Sequence, residues 1–218
     1  MISAVIFDMD GLMLDTERLF IESWDWAGEQ LGVGPFGHLG YQTLGMTSES
    51  ERIAIDEAFG GRITLEQVNV LRKEYFRRYF EEHGVPVKPG LFELLKWLKE
   101  QGIRTSVATS TPAESALSEL RSAGILPYFD EAVCGDMIAR SKPAPDIFLA
   151  AAAKLGVAPE NCMVLEDSLN GIRAAFAAGM TSVMIPDLVQ PDDEIRQKYS
   201  YCVGSLHDVR PIIEKLNR

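Results

Sequence analysis

Two aspartates at positions i and i+2, Asp8 and Asp10, stand where an apolar run gives out. A carboxylate in such a place can attack phosphorus, while a second one protonates the leaving oxygen and later deprotonates water. Gly11 follows and lets the backbone turn tightly around the pair. A second acidic pair, Glu166-Asp167, ends another apolar run. With Asp8 and a main-chain carbonyl it could hold Mg²⁺, a hard cation that favours oxygen ligands; Asp167 could equally cap the alanine-rich stretch that follows it. Lys142 lies in Ser141-Lys142-Pro143-Ala144-Pro145-Asp146, where prolines restrict the backbone. Near the acids it would neutralise phosphate charge and hold Asp8 ionised; far from them it is an exposed loop lysine. Thr109, followed by Ser110, offers a hydroxyl and nearby N–H groups to a phosphoryl oxygen, or else an ordinary helix cap.

These residues need elements to bring them together. Residues 3–7 (S-A-V-I-F) are apolar and β-branched and read as a buried strand. Similar runs at 105–108, 162–165 and 182–185 end at Thr109-Ser110, Glu166-Asp167 and Pro186-Asp187, with shorter candidates at 131–134 and 201–203. Between them the period changes. Leu91, Leu94, Leu95 and Leu98 mark one face of a helix. Thr111-Pro112-Ala113-Glu114 reads as a capping box with proline at the first helical position, Thr111 accepting from the Glu114 N–H. Pro145 opens a helix that Gly156 stops. Strands alternating with helices of ~10–15 residues predict an α/β fold, a parallel sheet covered on both faces. Ligands of such sheets bind beyond the carboxyl ends of the strands, where Asp8, Thr109 and Glu166 all fall.

One interval is too long. Strand one ends at Asp8 and the next clear strand begins near Thr105, whereas a βαβ crossover needs only ~30 residues. The excess, residues 16–87, has helical patterns over 19–31, 48–59 and 65–83, so it predicts an inserted α-helical cap domain, with residues 1–15 and 88–218 forming the catalytic core.

The 218-residue chain has 46% hydrophobic and 24% charged residues and a net charge of −11, with a pI near 4.8. That is ordinary for a soluble globular protein and argues against a nucleic-acid partner, which calls for a basic surface. The three cysteines, Cys134, Cys162 and Cys202, show no metal or disulfide spacing and read as buried small hydrophobes in a reducing cytoplasm. His38, His83 and His207 read as surface residues, and Trp24 as cap packing. No apolar run approaches the ~18 residues that span a bilayer, so no membrane partner is expected. A monomer is the default.

Read together and in order, these segments resemble the haloacid dehalogenase superfamily, specifically its β-phosphoglucomutase-like phosphatase branch. The motifs are F-D-M-D-G-L-M-L-D-T at residues 7–16, V-A-T-S-T around Thr109, S-K-P-A-P-D-I-F around Lys142, and V-L-E-D-S-L-N-G-I-R-A-A at residues 164–175. The resemblance implies a Rossmann-like, doubly wound parallel-sheet core with an inserted α-helical cap domain, Asp8 as nucleophile, Asp10 as acid/base, and Thr109 and Lys142 completing the catalytic set. It implies a metal site for Mg²⁺ at Asp8, Asp10, Glu166 and Asp167, and substrate contacts at Thr109, Ser110, Lys142, Gly45 and Lys73. The implied activity is hydrolysis of small phosphate monoesters such as sugar or polyol phosphates, through an aspartyl-phosphate. Sugar phosphomutase activity is the alternative. Against it, the mutases' cap motif G-V-S-R is replaced by Gly45-Met46-Thr47-Ser48, which lacks the phosphate-gripping arginine, and Phe20 stands at the mutases' cap histidine. A non-catalytic binding module on this fold would most easily have lost Asp8 or Asp10; both remain.

Overall fold

The computed structural model describes residues 1–44 and 48–218, the side chain of Ser48 excepted. Six strands form one parallel sheet in the order β3-β2-β1-β4-β5-β6. They are β1 (Ala4–Phe7), β2 (Arg104–Ala108), β3 (Glu131–Val133), β4 (Cys162–Glu166), β5 (Thr181–Met184) and β6 (Tyr201–Cys202). The strand order reverses at β1, which pairs with β2 on one side and β4 on the other, Phe7 standing beside both Val107 and Leu165. That reversal is the switch point at which doubly wound sheets bind ligands.

Side chains alternate across the sheet as strand geometry requires. Val5, Phe7, Val107, Met163, Leu165 and Val183 fill one face against α5 (Leu91–Glu100), α6 (Ala113–Ser122) and α9 (Val209–Leu216). Ala4, Ile6, Ala108, Cys162 and Val164 fill the other, against α7 (Asp146–Leu155) and α8 (Leu169–Ala177). Both faces are covered, so β1 is apolar throughout and β4 up to Glu166, and these two strands stand out in the sequence. Gly156 stops α7 in the left-handed conformation, at φ 66°.

The chain divides into two compact units, Met1–Asp15 with Val85–Arg218, and Thr16–Gly84. The first resumes at Val85, three residues before the expected 88. The reason lies in a short neck: Leu14 pairs antiparallel with Val87, the Asp15 N–H donates to the Pro86 carbonyl at 3.0 Å and the Lys88 N–H to the Met13 carbonyl at 2.8 Å. The Lys88 ammonium also bridges Asp15 and Asp187, at 2.8 Å each.

The inserted unit is helical: α1 (Glu17–Gln30), α2 (Gly37–Thr43), α3 (Ser48–Phe59) and α4 (Leu65–His83). Its core gathers Trp24, Ala27, Phe36, Leu39, Ile55, Ile63, Leu65 and Val68, and Trp24 is fully buried there. Sequence patterning does not predict α2, whose seven residues Gly-His-Leu-Gly-Tyr-Gln-Thr include two glycines. Packing explains it: a side chain at Gly40 would collide with the Trp24 indole, and the Gly37 N–H donates to Asp25 at 2.5 Å. One ion pair in this unit is largely buried. Arg72 and Glu51, each 12% exposed, lie 3.5 Å apart, with the Arg72 guanidinium 4.1 Å from the centre of the Phe20 ring. Burial holds the Arg72 pKa below and the Glu51 pKa above their ordinary values.

Two expectations fail. Cys134 and Cys162 are buried but Cys202 is exposed, because it lies on β6, the two-residue strand at the sheet edge. Thr111 does not cap α6, which begins at Ala113 behind Pro112 without a side-chain cap from that residue. The histidines are exposed as expected, and no described helix is long and apolar enough to cross a membrane.

Candidate active site

Asp8 is the first residue past β1, and its N–H continues the ladder to the Leu165 carbonyl at 3.1 Å. Register then sets it beside Glu166, the last residue of β4. Asp167 follows, and one oxygen from each of Asp8, Glu166 and Asp167 falls within 4.8 Å of the others. All three are buried, Glu166 completely. The turn that carries Asp8 is held by the buried side chains of Met9, Leu12, Met13 and Leu14, and Gly11 adopts φ 79°, a conformation costly for any other residue.

Lys142 reaches into this cluster from the loop before α7. Its ammonium donates to Asp8, to Glu166 at 2.6 Å and to the Ala108 carbonyl at 3.3 Å, and its side chain is only 7% exposed. It is therefore not a solvated loop lysine. Three carboxylates against one ammonium leave two negative charges if all are ionised, an expensive excess in a buried site. Burial pushes the Asp8 carboxyl up to about 8; Lys142 pulls it down, while Glu166 and Asp10 add to the rise. Burial also opposes the Lys142 charge, but Asp8 and Glu166 outweigh it and hold that pKa above the ordinary lysine value.

The second oxygen of Glu166 accepts from the Ser168 N–H at 2.8 Å and hydroxyl at 2.9 Å. Ser168 also caps α8 by accepting from the Gly171 N–H at 3.0 Å, so Asp167 is not the cap. A side chain at Gly171 would overlap the Glu166 carboxylate. The helix interior thus carries a glycine to make room for an acid. This oxygen-only cluster, with its excess charge and its glycine-lined cradle, fits a hard divalent cation.

Thr109 is buried past β2, its N–H donating to the Val133 carbonyl at 3.1 Å and its hydroxyl accepting from the Thr111 N–H at 3.0 Å. Ser110, next to it, is exposed. Asp10 is half-buried and its Oδ2 accepts from the Thr111 hydroxyl at 2.9 Å, so Asp10 lies outside the three-carboxylate group. Glu119, on α6, is lifted to about 8 by burial and by the charge of Asp10. Gly45 lies outside the described residues, and Lys73 is exposed on α4 of the inserted unit. Sequence reasoning assigned no role to Ser168, Gly171 or Glu119; the one available signal was Gly171, a glycine inside a helical pattern.

A family model described as haloacid dehalogenase-like hydrolase matches residues 2–179. The chain belongs to the haloacid dehalogenase-like hydrolase family. Among its relatives is the phosphorylated carbohydrates phosphatase of Thermotoga maritima, 36% identical over 180 residues that cover 83% of each chain. The β-phosphoglucomutase of Bacillus subtilis is 32% identical over 216 residues, covering 94% of each. The crystal structure of CbbY from Rhodobacter sphaeroides in complex with phosphate matches with a TM-score of 0.80 at 30% identity, covering 96% of both chains.

Proposed function

We propose that this hydrolase cleaves small phosphate monoesters, sugar or polyol phosphates first among them, through a phosphorylated Asp8. The observation that carries this reading is the buried group of Asp8, Glu166 and Asp167 with Lys142 bonded into it. An Asp8 oxygen attacks phosphorus as the ester P–O bond breaks, and Asp10 delivers a proton to the departing oxygen. Asp10 then takes a proton from water, whose oxygen attacks the phosphorylated Asp8, releasing inorganic phosphate and restoring the carboxylate. Lys142 and Thr109 offset charge on the transferring group, the dominant requirement of phosphoryl transfer. Asp8, Glu166, Asp167 and the main-chain carbonyl of Asp10 would hold Mg²⁺, which supplies charge neutralisation and orientation of the phosphoryl oxygens. The inserted unit, with Gly45, Lys73 and the exposed Ser110 as contact candidates, would select the substrate.

The β-phosphoglucomutase relative supports a second reading, in which phosphate returns to the sugar. We prefer hydrolysis because residues 45–48 contain no arginine to hold a second phosphate. Phosphate release from a panel of sugar, polyol and nucleotide monophosphates, with and without Mg²⁺, tests both. Mg²⁺-dependent release that disappears in Asp8→Asn is the expected result. Isomerised product without free phosphate would favour the mutase, and no turnover of any ester would defeat both.

A further inference from the structure

Thr111 breaks a local rule. Its sequence context, with Pro112 and Glu114 behind it, is that of a helix cap, a role in which a threonine stabilises a helix. The α6 end is served instead by Asp136, which accepts the Ala113 N–H at 3.0 Å. The Thr111 hydroxyl turns away and donates to Asp10 Oδ2 at 2.9 Å, across 101 residues of chain. Its backbone is fixed from both sides. The Thr111 N–H donates to the Thr109 hydroxyl oxygen at 3.0 Å, and the Thr111 carbonyl accepts from the Gly135 N–H at 3.1 Å. Gly135 leaves no slack, since a side chain there would overlap the Ser110 carbonyl. A hydroxyl withdrawn from its local role and aimed at a carboxylate by a rigid backbone marks a functional constraint.

We propose that Thr111 is a positioning residue for Asp10, holding the carboxyl group through Oδ2 so that Oδ1 exchanges the proton with the leaving oxygen. This rests on Asp10 acting as the acid/base in the reading above. In the first half-reaction the Oδ1–H proton passes to the ester oxygen as its bond to phosphorus breaks and the bond from Asp8 to phosphorus forms. Asp10 is left as a carboxylate, still held through Oδ2 by the Thr111 hydroxyl. Thr111 thus orients the proton transfer without touching the substrate.

The test separates positioning from folding by the leaving group. An alkyl phosphate needs its departing oxygen protonated, whereas p-nitrophenol leaves without help. Thr111→Val should lower kcat/KM about tenfold to a hundredfold for a sugar phosphate, as expected for losing a hydrogen bond to a charged group, and change it little for p-nitrophenyl phosphate. The ratio between the two substrates does not depend on how much protein is folded. Thr111→Ser should restore the ratio, Asp10→Ala should exaggerate its change, and Asp136→Ala should lower the melting temperature with the ratio intact. Equal losses on both substrates, no loss on the sugar phosphate, or a serine variant no better than valine would overturn the assignment while leaving the phosphatase reading standing. Absence of Asp8-dependent phosphate release in the wild type would remove that reading, and this one with it.

Discussion

The two units place their charges differently. In the inserted helical unit most ion pairs lie along exposed helix faces at i, i+3 or i+4, such as Arg77 with Glu74 and Glu81 or Arg52 with Glu49 and Asp56. Solvent and salt screen such pairs, and they contribute little. In the sheet unit Lys142, Asp8 and Glu166 are packed out of water at the strand ends. Burying them costs stability, which evolution keeps where chemistry requires it. Burial, not the number of charges, therefore separates the cluster of the sheet unit from the ion pairs of the helical one.

The largest effect should follow from Lys142→Ala. Removing the ammonium leaves buried carboxylates uncompensated, and urea unfolding in EDTA should show a loss of about 3–5 kcal/mol. Stability in EDTA should also depend on pH. The Asp8 carboxyl sits at about 8 in the folded chain against an ordinary 3.8, so the folded state keeps a proton that the unfolded chain has released between those values. Stability should fall as pH rises from about 4 to about 8. The raised Lys142 pKa adds nothing to the slope there, because lysine is charged in both states. Mg²⁺ should restore stability most at the upper end, since cation and proton compete for the same oxygens; an unfolding midpoint that climbs with pH in EDTA would contradict the burial argument.

Gly171→Ala should act next, by displacing the Glu166 carboxylate. Calorimetric titration should find Mg²⁺ binding weakened by about tenfold to a hundredfold, the range seen when the groups that orient metal ligands are disturbed. Arg72→Met tests the exception in the helical unit, where Arg72 also donates to Asn69 at 3.0 Å. A loss of about 1–2 kcal/mol in denaturant unfolding is expected there, smaller than for Lys142 because its pairing with Glu51 is looser. Arg77→Ala should leave the melting temperature unmoved. A large shift there would blur the contrast between the units.

Much of the sheet unit was legible in the sequence because both of its faces are covered. Residues 3–7 and 162–165 read as strands from apolarity alone, and Asp8 and Glu166 mark the ends of those runs. The helices α3 and α4 were legible to the residue. What stayed hidden depends on contacts between distant residues. Helix α2 exists because Gly40 fits under Trp24, a fit that no local propensity records. The Thr111 hydroxyl follows local rules in the sequence and breaks them in the fold, drawn off by Asp10. Gly171 and Gly135 look like weak helix and loop positions until the Glu166 carboxylate and the Ser110 carbonyl are seen against them. The neck extended the first unit back to Val85 because Leu14 and Val87 pair, and neither residue announces a partner more than seventy positions away.

That neck also bears on how such a protein can change over evolutionary time. Leu14 and Val87 are already neighbours across an antiparallel bridge, and Lys88 ties their surroundings to Asp15 and Asp187. The points where the chain departs and returns are thus fixed by the sheet unit itself. Residues 16–84 can be lengthened, shortened or exchanged for another lineage's helices with only one pair of adjoining ends to rejoin. Such an exchange leaves Asp8, Glu166 and Lys142 where they are, so one junction separates change in the helical unit from change in the buried charge cluster.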